Sequence, residues 1–159
     1  MITVRAAGAY DGDTAFVRSS WLHHARSTKA HHVPTTIFYD GIKPLVSSLM
    51  HRSIILLAVS AEQPDTILGA VVGEPALEAR HYCLIHWCYV KAPFRKHGIA
   101  SQLVSDLRAL GESQARLAVT CHLETEDQTI RTKKRGAVVC PSLSYFIALK
   151  GLPCPQPSP

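Results

Sequence analysis

The residues with the clearest chemical potential lie in the stretch HWCYVKAPFRKHGIASQLV, residues 86–104. A short basic turn, RKHGIA (95–100), separates an apolar run from an amphipathic pattern typical of a helix. Gly98 allows an anion to approach the main chain closely, and the first N–H groups of a helix attract negative charge. This order predicts a site for a phosphate or pyrophosphate, with the three basic residues before the glycine supplying positive charge.

Two further residues with chemical potential precede the turn on the apolar run, His86 and Cys88. Residues two apart on a strand share a face, so we expect His86, Cys88 and Leu84 to point the same way. An imidazole titrates near neutral pH and can serve as a general base. A hydrogen-bonded core histidine is the alternative, and the residues alone leave both open.

The pattern around this stretch indicates an α/β chain. We expect a first strand over Ile2–Ala6 and then a helix that buries Phe16, Val17, Trp21 and Leu22. The polar, histidine-rich segment 23–36 reads as loop or frayed helix. Pro44 favours a second helix that starts near residue 43, because proline is tolerated in a first turn.

The hydrophobic period then changes to that of strands. Three strands are expected over residues 53–60, 67–73 and 81–91, followed by a helix over 99–110. A strand at 116–123, a helix at 125–134 and one or two strands within 138–149 complete the prediction. Residues 1–149 are expected to form a single domain, and the Pro-rich tail 150–159 to be disordered or polyproline-like.

Composition limits the classes of function. The chain has 159 residues, of which 47% are hydrophobic and 18% charged, as in soluble globular proteins. Its formal charge of +5 favours anionic partners, and no stretch is long and apolar enough for a membrane span. The five cysteines form no CxxC pair and no signal peptide is evident, so we expect reduced thiols and a cytoplasmic location.

The residues YVKAPFRKHGIASQLV (89–104) resemble the GNAT superfamily of acyl-CoA-dependent N-acyltransferases. They match that family's strand, its Arg/Gln-x-x-Gly-x-Gly/Ala turn and the helix that follows. The residue pattern, with YVK before FR and GIA, is similar to that of a subgroup found in bacteriophage genomes. The predicted order of elements is also similar. The resemblance implies a mixed α/β GNAT fold: a twisted, mostly antiparallel sheet flanked by helices, with strands 4 and 5 splayed to admit the acyl-CoA.

The resemblance also implies site residues. Acetyl-CoA would be the co-substrate, with its pyrophosphate on main-chain N–H groups of the turn and its pantetheine arm alongside the preceding strand. The N–H of Cys88 would polarise the thioester carbonyl and stabilise the oxyanion. The implied cofactor-binding residues are Tyr89, Val90, Arg95, Lys96, His97, Gly98, Ile99, Ala100 and Ser101.

The acid and base depart from the family pattern. Many members carry a carboxylate on this strand, but residues 81–91 contain neither Asp nor Glu, so His86 or an ordered water is the candidate base. Many members also carry a Tyr on the helix after the fifth strand, whereas residues 125–137 contain none. Tyr145 in the last strand is the candidate acid in its place; otherwise the CoA thiolate leaves unaided or takes a proton from water.

The expected function is transfer of an acetyl group to a primary amine of a small molecule or protein, by direct attack in a ternary complex, in a monomer or homodimer. The main alternative is a catalytically weak GNAT-fold protein that binds CoA or a partner protein. A basic nucleic-acid-binding protein is a third class, suggested by the net charge and by the run 131–135, for which the 3′-phosphate of CoA is the alternative ligand. We predict no metal site, because the adjacent pairs His23-His24 and His31-His32 do not converge on one ion.

Overall fold

The computed structural model describes residues 1–28, 33–75, 82–111, 116–119 and 138–139. Three helices and six strands fall within these ranges. In chain order they are β1 (Ile2–Ala6), α1 (Asp13–Thr28), α2 (Thr35–Arg52), β2 (Ile54–Ser60), β3 (Ile67–Glu74), β4 (Tyr82–Val90), α3 (Ile99–Ala109), β5 (Arg116–Val119) and β6 (Val138–Val139).

The six described strands form one sheet in the order of the sequence. The strands β1 to β4 pair antiparallel, whereas β4 with β5 and β5 with β6 pair parallel. The pairing of β4 with β5 covers Tyr82–Ile85, and β5 is described as far as Val119. The predicted fold, a mostly antiparallel sheet flanked by helices, is confirmed.

Two apolar cores lie on the opposite faces of the sheet. On one face α1 and α2 cover alternate residues of β2 and β3, with Val17, Trp21 and Leu49 at the centre. On the other face α3 packs through Leu103 and Leu107. Helix α3 owes this position to its stripe of apolar residues at helical spacing.

A bulge in β4 decides how its side chains are distributed. Val72 of β3 pairs with Trp87, but the next residue, Gly73, pairs with Ile85, so His86 is an extra residue in β4. Trp87 consequently lies in the core of α1 and α2, while Ile85 lies in the core of α3. In a regular strand these two residues would share a face.

The two amino-terminal helices are longer than the sequence suggests. Helix α1 continues through residues 23–28, which were expected to be loop or frayed helix. Helix α2 begins at Thr35 and contains Pro44, so a start near residue 43 is wrong. Pro44 and Asp40 are both exposed, so the helical hydrogen bond that proline cannot make is missing on the solvent side of α2.

Other expectations fall outside the described residues: the helix at 125–134, the last strands apart from β6, Tyr145, the basic run 131–135 and the boundary at 149/150. None of the helices that the structure describes combines the length and the apolar character needed to cross a lipid bilayer.

Candidate active site

The basic turn connects β4 to α3 and has a tight backbone. A 3₁₀ turn (Ala92–Phe94) leads into two left-handed residues, Lys96 at φ 69° and Gly98 at φ 79°. Gly98 is the N-cap of α3, and the N–H of Gln102 donates to its carbonyl oxygen at 2.9 Å. The N–H groups of residues 99–101 precede this first helical hydrogen bond and therefore point out of the helix end.

The surroundings of this helix end suit a phosphate group. The four residues from Arg95 to Gly98 are all exposed. A Cβ added to Gly98 would meet no atom of the described residues within 4 Å, so the space beside Gly98 is open among these residues. The helix end, its N–H groups and the charge of Lys96 together attract an anion, which fits the pyrophosphate site predicted for this turn.

The other predicted cofactor residues surround the turn with different roles. Val90 packs against the core of α3, whereas Tyr89 packs against the core of α1 and α2. Ile99 is buried under the turn, so its main chain alone can face a ligand. Arg95 donates a hydrogen bond from Nε to the Val90 carbonyl oxygen at 3.0 Å, and a ring nitrogen of His97 lies 2.9 Å from the Arg95 carbonyl oxygen.

His86 is buried on a carboxylate. Its side chain is fully buried, and Nε2 lies 3.0 Å from Oε1 of Glu74, the last residue of β3. Glu74 follows Ala70 and Val72 at even spacing, so both groups of the pair lie on the sheet face covered by α1 and α2. With the carboxylate as acceptor, the neutral imidazole carries its hydrogen on Nε2 and its basic lone pair on Nδ1.

Glu74 also binds Arg52 at the end of α2. The guanidinium nitrogens Nε and Nη2 lie 2.8 and 2.7 Å from Oε1 of Glu74. Burial alone would raise the pKa of Glu74, but the hydrogen bonds and charges of His86 and Arg52 outweigh it and lower that pKa. Glu74 is therefore ionised near neutral pH and can stabilise a protonated imidazole.

Cys88 lies on the other face from His86. Because His86 and Trp87 both point toward α1 and α2, the next residue, Cys88, points to the α3 side, where its side chain is exposed. The expectation that His86 and Cys88 share a face is thus wrong, although Leu84 does share the face of His86. The proposed role of Cys88 concerns its main-chain N–H and is compatible with either orientation. Tyr145, the candidate acid, lies outside the described residues.

The sequence reading missed Glu74 and Arg52. The strand of His86 contains no carboxylate, and Glu74 stands on the neighbouring strand. A signal was present: a single acidic residue at the end of an otherwise apolar run, ILGAVVGE (67–74). Such a residue needs a cationic or hydrogen-bonding partner where it is half-buried.

An aromatic stack connects the core to the end of β4. The rings of Trp21 and Trp87 are stacked with centroids 5.8 Å apart, and those of Trp87 and Tyr89 with centroids 5.5 Å apart. Trp21 comes from α1, so the stack attaches this helix to the strand that carries His86.

With this geometry established, the comparisons with known proteins identify the family. The sequence profile of the acetyltransferase (GNAT) family matches residues 19–134, which include His86 and the whole turn. The chain belongs to the GNAT acetyltransferase family. It is therefore an acyl-CoA-dependent N-acyltransferase by family, and GNAT enzymes use acetyl-CoA. No curated protein sequence matches the chain significantly.

Solved structures share the GNAT fold at low sequence identity. A protein of Pyrococcus furiosus described as an acetyl transferase is 13% identical, with a TM-score of 0.66 over 99% of this chain and 100% of that one. A ribosomal-protein-alanine N-acetyltransferase from Brucella melitensis is 16% identical, with a TM-score of 0.54 over 84% and 89%. An aminoglycoside acetyltransferase from a soil metagenome, in complex with sisomicin, is 13% identical, with a TM-score of 0.51 over 85% and 86%. At these identities the likeness concerns the fold alone.

Proposed function

We propose that this GNAT protein transfers the acetyl group of acetyl-CoA to a primary amine of a small molecule or protein, by direct attack within a ternary complex. The observation that carries the proposal is the buried His86–Glu74 pair, two residues before Cys88 on the strand that leads into the basic turn. The proposed base, His86, and the proposed phosphate site at the basic turn then lie on one continuous segment of the chain.

The main chain at residues 96–101 holds the pyrophosphate in this proposal, and the Lys96 side chain adds positive charge. The co-substrate supplies an acetyl group activated as a thioester. The N–H of Cys88 donates a hydrogen bond to the carbonyl oxygen of that group, where negative charge develops. Tyr89 and Val90 border the pantetheine arm on the two faces of β4.

His86 takes the proton that the amine loses as its nitrogen bonds to the acetyl carbon. The imidazole has no exposed surface in the free protein, so this step requires a water molecule to reach the ring when the acceptor binds and to relay the proton. The ionised Glu74 keeps the hydrogen on Nε2 and stabilises the imidazolium that forms. As the carbon–sulfur bond breaks, Tyr145 is the proposed donor of a proton to the leaving thiolate.

The test is formation of acetylated product by the full chain with acetyl-CoA and a panel of primary amines. The panel includes a polyamine, an aminoglycoside and a peptide with amino-terminal alanine, because two structural neighbours are named for acceptors of the last two kinds. We expect at least one acetylated amine by mass spectrometry, in an amount proportional to protein and time. Thermal stabilisation by CoA with no acetylated amine from any panel member would contradict the proposal and favour the CoA-binding alternative.

A further inference from the structure

A polar groove of about 460 Å³ lies between the second half of α1 and the end of β4. Ser20, His23, His24 and Ser27 of α1 face Tyr89 and Arg95 across it. Its size is that of a pocket for a small molecule. Tyr89, which stacks on Trp87, lines the groove on the strand side.

The charge of this groove is positive. Arg95 is permanently charged, and the hydrogen bond from its Nε to Val90 holds the guanidinium at the end of β4. Burial lowers the pKa of His24, and the positive charge of Arg95 lowers it further. The two side chains are therefore close enough to interact electrostatically. None of the described residues that line the groove is acidic. Hydroxyl, imidazole and guanidinium groups together are the donors that oxyanions require.

We propose that this groove binds the anionic group of the acceptor, so that the preferred substrate carries both a primary amine and a phosphate or carboxylate. The inference rests on the proposed acetyl transfer and specifies its substrate class. Tyr89 packs on the sheet face that also carries His86, and the two residues are three apart on β4, about 10 Å at the rise of a strand. An acceptor with its anion beside Arg95 can therefore present its amine toward His86.

Charge substitutions of opposite sign at Ser27 test the groove by kinetics. Ser27 is exposed on α1, so Ser27→Glu and Ser27→Lys both leave the packing of the helix intact. The assay compares aminoalkyl phosphates and ω-amino acids with uncharged amino alcohols of the same chain length. We expect the wild-type KM to be at least about tenfold lower for the anionic acceptors, a difference of about 1.4 kcal/mol. Ser27→Glu should abolish this preference and Ser27→Lys should increase it.

His51→Glu is the matched control, since His51 is exposed on α2 away from this groove. It places the same negative side chain on α2 and should leave the preference unchanged. Equal KM values for anionic and neutral acceptors in the wild type would overturn the inference. So would a rise in the KM for acetyl-CoA, rather than for the acceptor, in Ser27→Glu, because the groove would then receive a phosphate of CoA.

Tryptophan fluorescence tests the groove without turnover. The chain has two tryptophans, and both belong to the stack that ends at Tyr89. Titration with an aminoalkyl phosphate should give a saturable change in emission, weaker in Ser27→Glu and stronger in Ser27→Lys. If no amine is acetylated, the proposed function fails, but this titration still shows whether the groove binds the anion. A titration that is absent, or the same in both variants, would overturn the inference.

Discussion

Nε2 of His86 lies 3.0 Å from Oε1 of Glu74, at the point where β4 carries one residue more than β3. The bulge and this hydrogen bond occur at the same point of the sheet. The extra residue turns both His86 and Trp87 toward α1 and α2, and the carboxylate gives the buried imidazole a partner there. Arg52 attaches the end of α2 to the same carboxylate, so one acidic side chain joins a helix and two strands.

Glu74→Gln should lower kcat by about tenfold or more while the KM for acetyl-CoA changes little. The amide no longer fixes one tautomer of His86 and no longer stabilises its protonated form, but the basic turn is untouched. Steady-state kinetics with acetyl-CoA and one amine measure both parameters. Glu62→Gln is the control, because Glu62 is exposed in the connection between β2 and β3. An unchanged kcat in Glu74→Gln would show that the pair is purely structural.

Gly98→Ala should raise the KM for acetyl-CoA by about tenfold, or about 1.4 kcal/mol. Gly98 is left-handed at φ 79°, so alanine costs about 1–2 kcal/mol of strain, and its methyl group enters the space beside the α3 N-terminus. Gly8→Ala is the matched control: Gly8 has φ 103° and equally open surroundings, but lies between β1 and α1. Both variants should lose stability. If the two variants had the same KM for acetyl-CoA, the turn would not be the phosphate site.

Gly73→Ala should lower the melting temperature and destabilise the fold by about 3 kcal/mol or more. An added Cβ would overlap the Leu84 carbonyl oxygen and lie 2.6 Å from Cδ2 of Leu107, between β4 and α3. Gly41→Ala, in open surroundings on α2, should instead stabilise the protein by about 0.5–1 kcal/mol, because alanine is the better helix former. Thermal unfolding of the two variants measures the contrast, and a stable Gly73→Ala would contradict the close packing of α3.

Asp13 makes the free energy of unfolding depend on pH in the acidic range. Its buried carboxylate accepts hydrogen bonds from Arg5 at 2.6 Å and from the N–H of Gly8 at 3.0 Å, and these lower its pKa to about 2 despite its burial. A folded-state pKa below the unfolded value stabilises the protein above the unfolded pKa, and this contribution is lost as pH falls through the folded pKa. The contribution near neutral pH is about 2 kcal/mol.

Asp13→Asn should therefore be less stable than the wild type near neutral pH, by at least this amount. The gap should narrow as pH falls below about 4, where the unfolded carboxyl begins to bind protons. Urea unfolding of both proteins over this range measures the gap. A gap independent of pH would mean that Asp13 acts through shape and hydrogen bonding alone.

The sequence was sufficient to predict the sheet, because its strands are short apolar runs bounded by polar turns. The expected strand Ile2–Ala6 coincides with β1, and the turn at 95–98 lies where the basic residues and Gly98 indicated. The spacing of Ile99, Leu103 and Leu107 gave the buried face of α3 because helical periodicity is a local property.

The sequence was insufficient where a neighbouring strand or solvent decides the structure. The bulge at His86 depends on pairing with β3, and strand alternation alone placed Cys88 on the wrong face. Glu74 was missed because its partner is twelve residues away on another strand. Pro44 predicted a helix start, but α2 continues through this exposed position.

The pH dependence of acetyl transfer by the wild type and by His86→Gln tests the central claim most directly. An amine whose own pKa lies well above the assay range should be used, so that its titration contributes the same slope to both proteins. We expect the pH profile of kcat to differ between the two proteins, because only the wild type has an imidazole that can take the proton the amine loses. His86→Gln should be slower by about a hundredfold where the wild type is most active, with an unchanged KM for acetyl-CoA. Identical pH profiles for the two proteins would contradict the assignment of His86 as the proton acceptor.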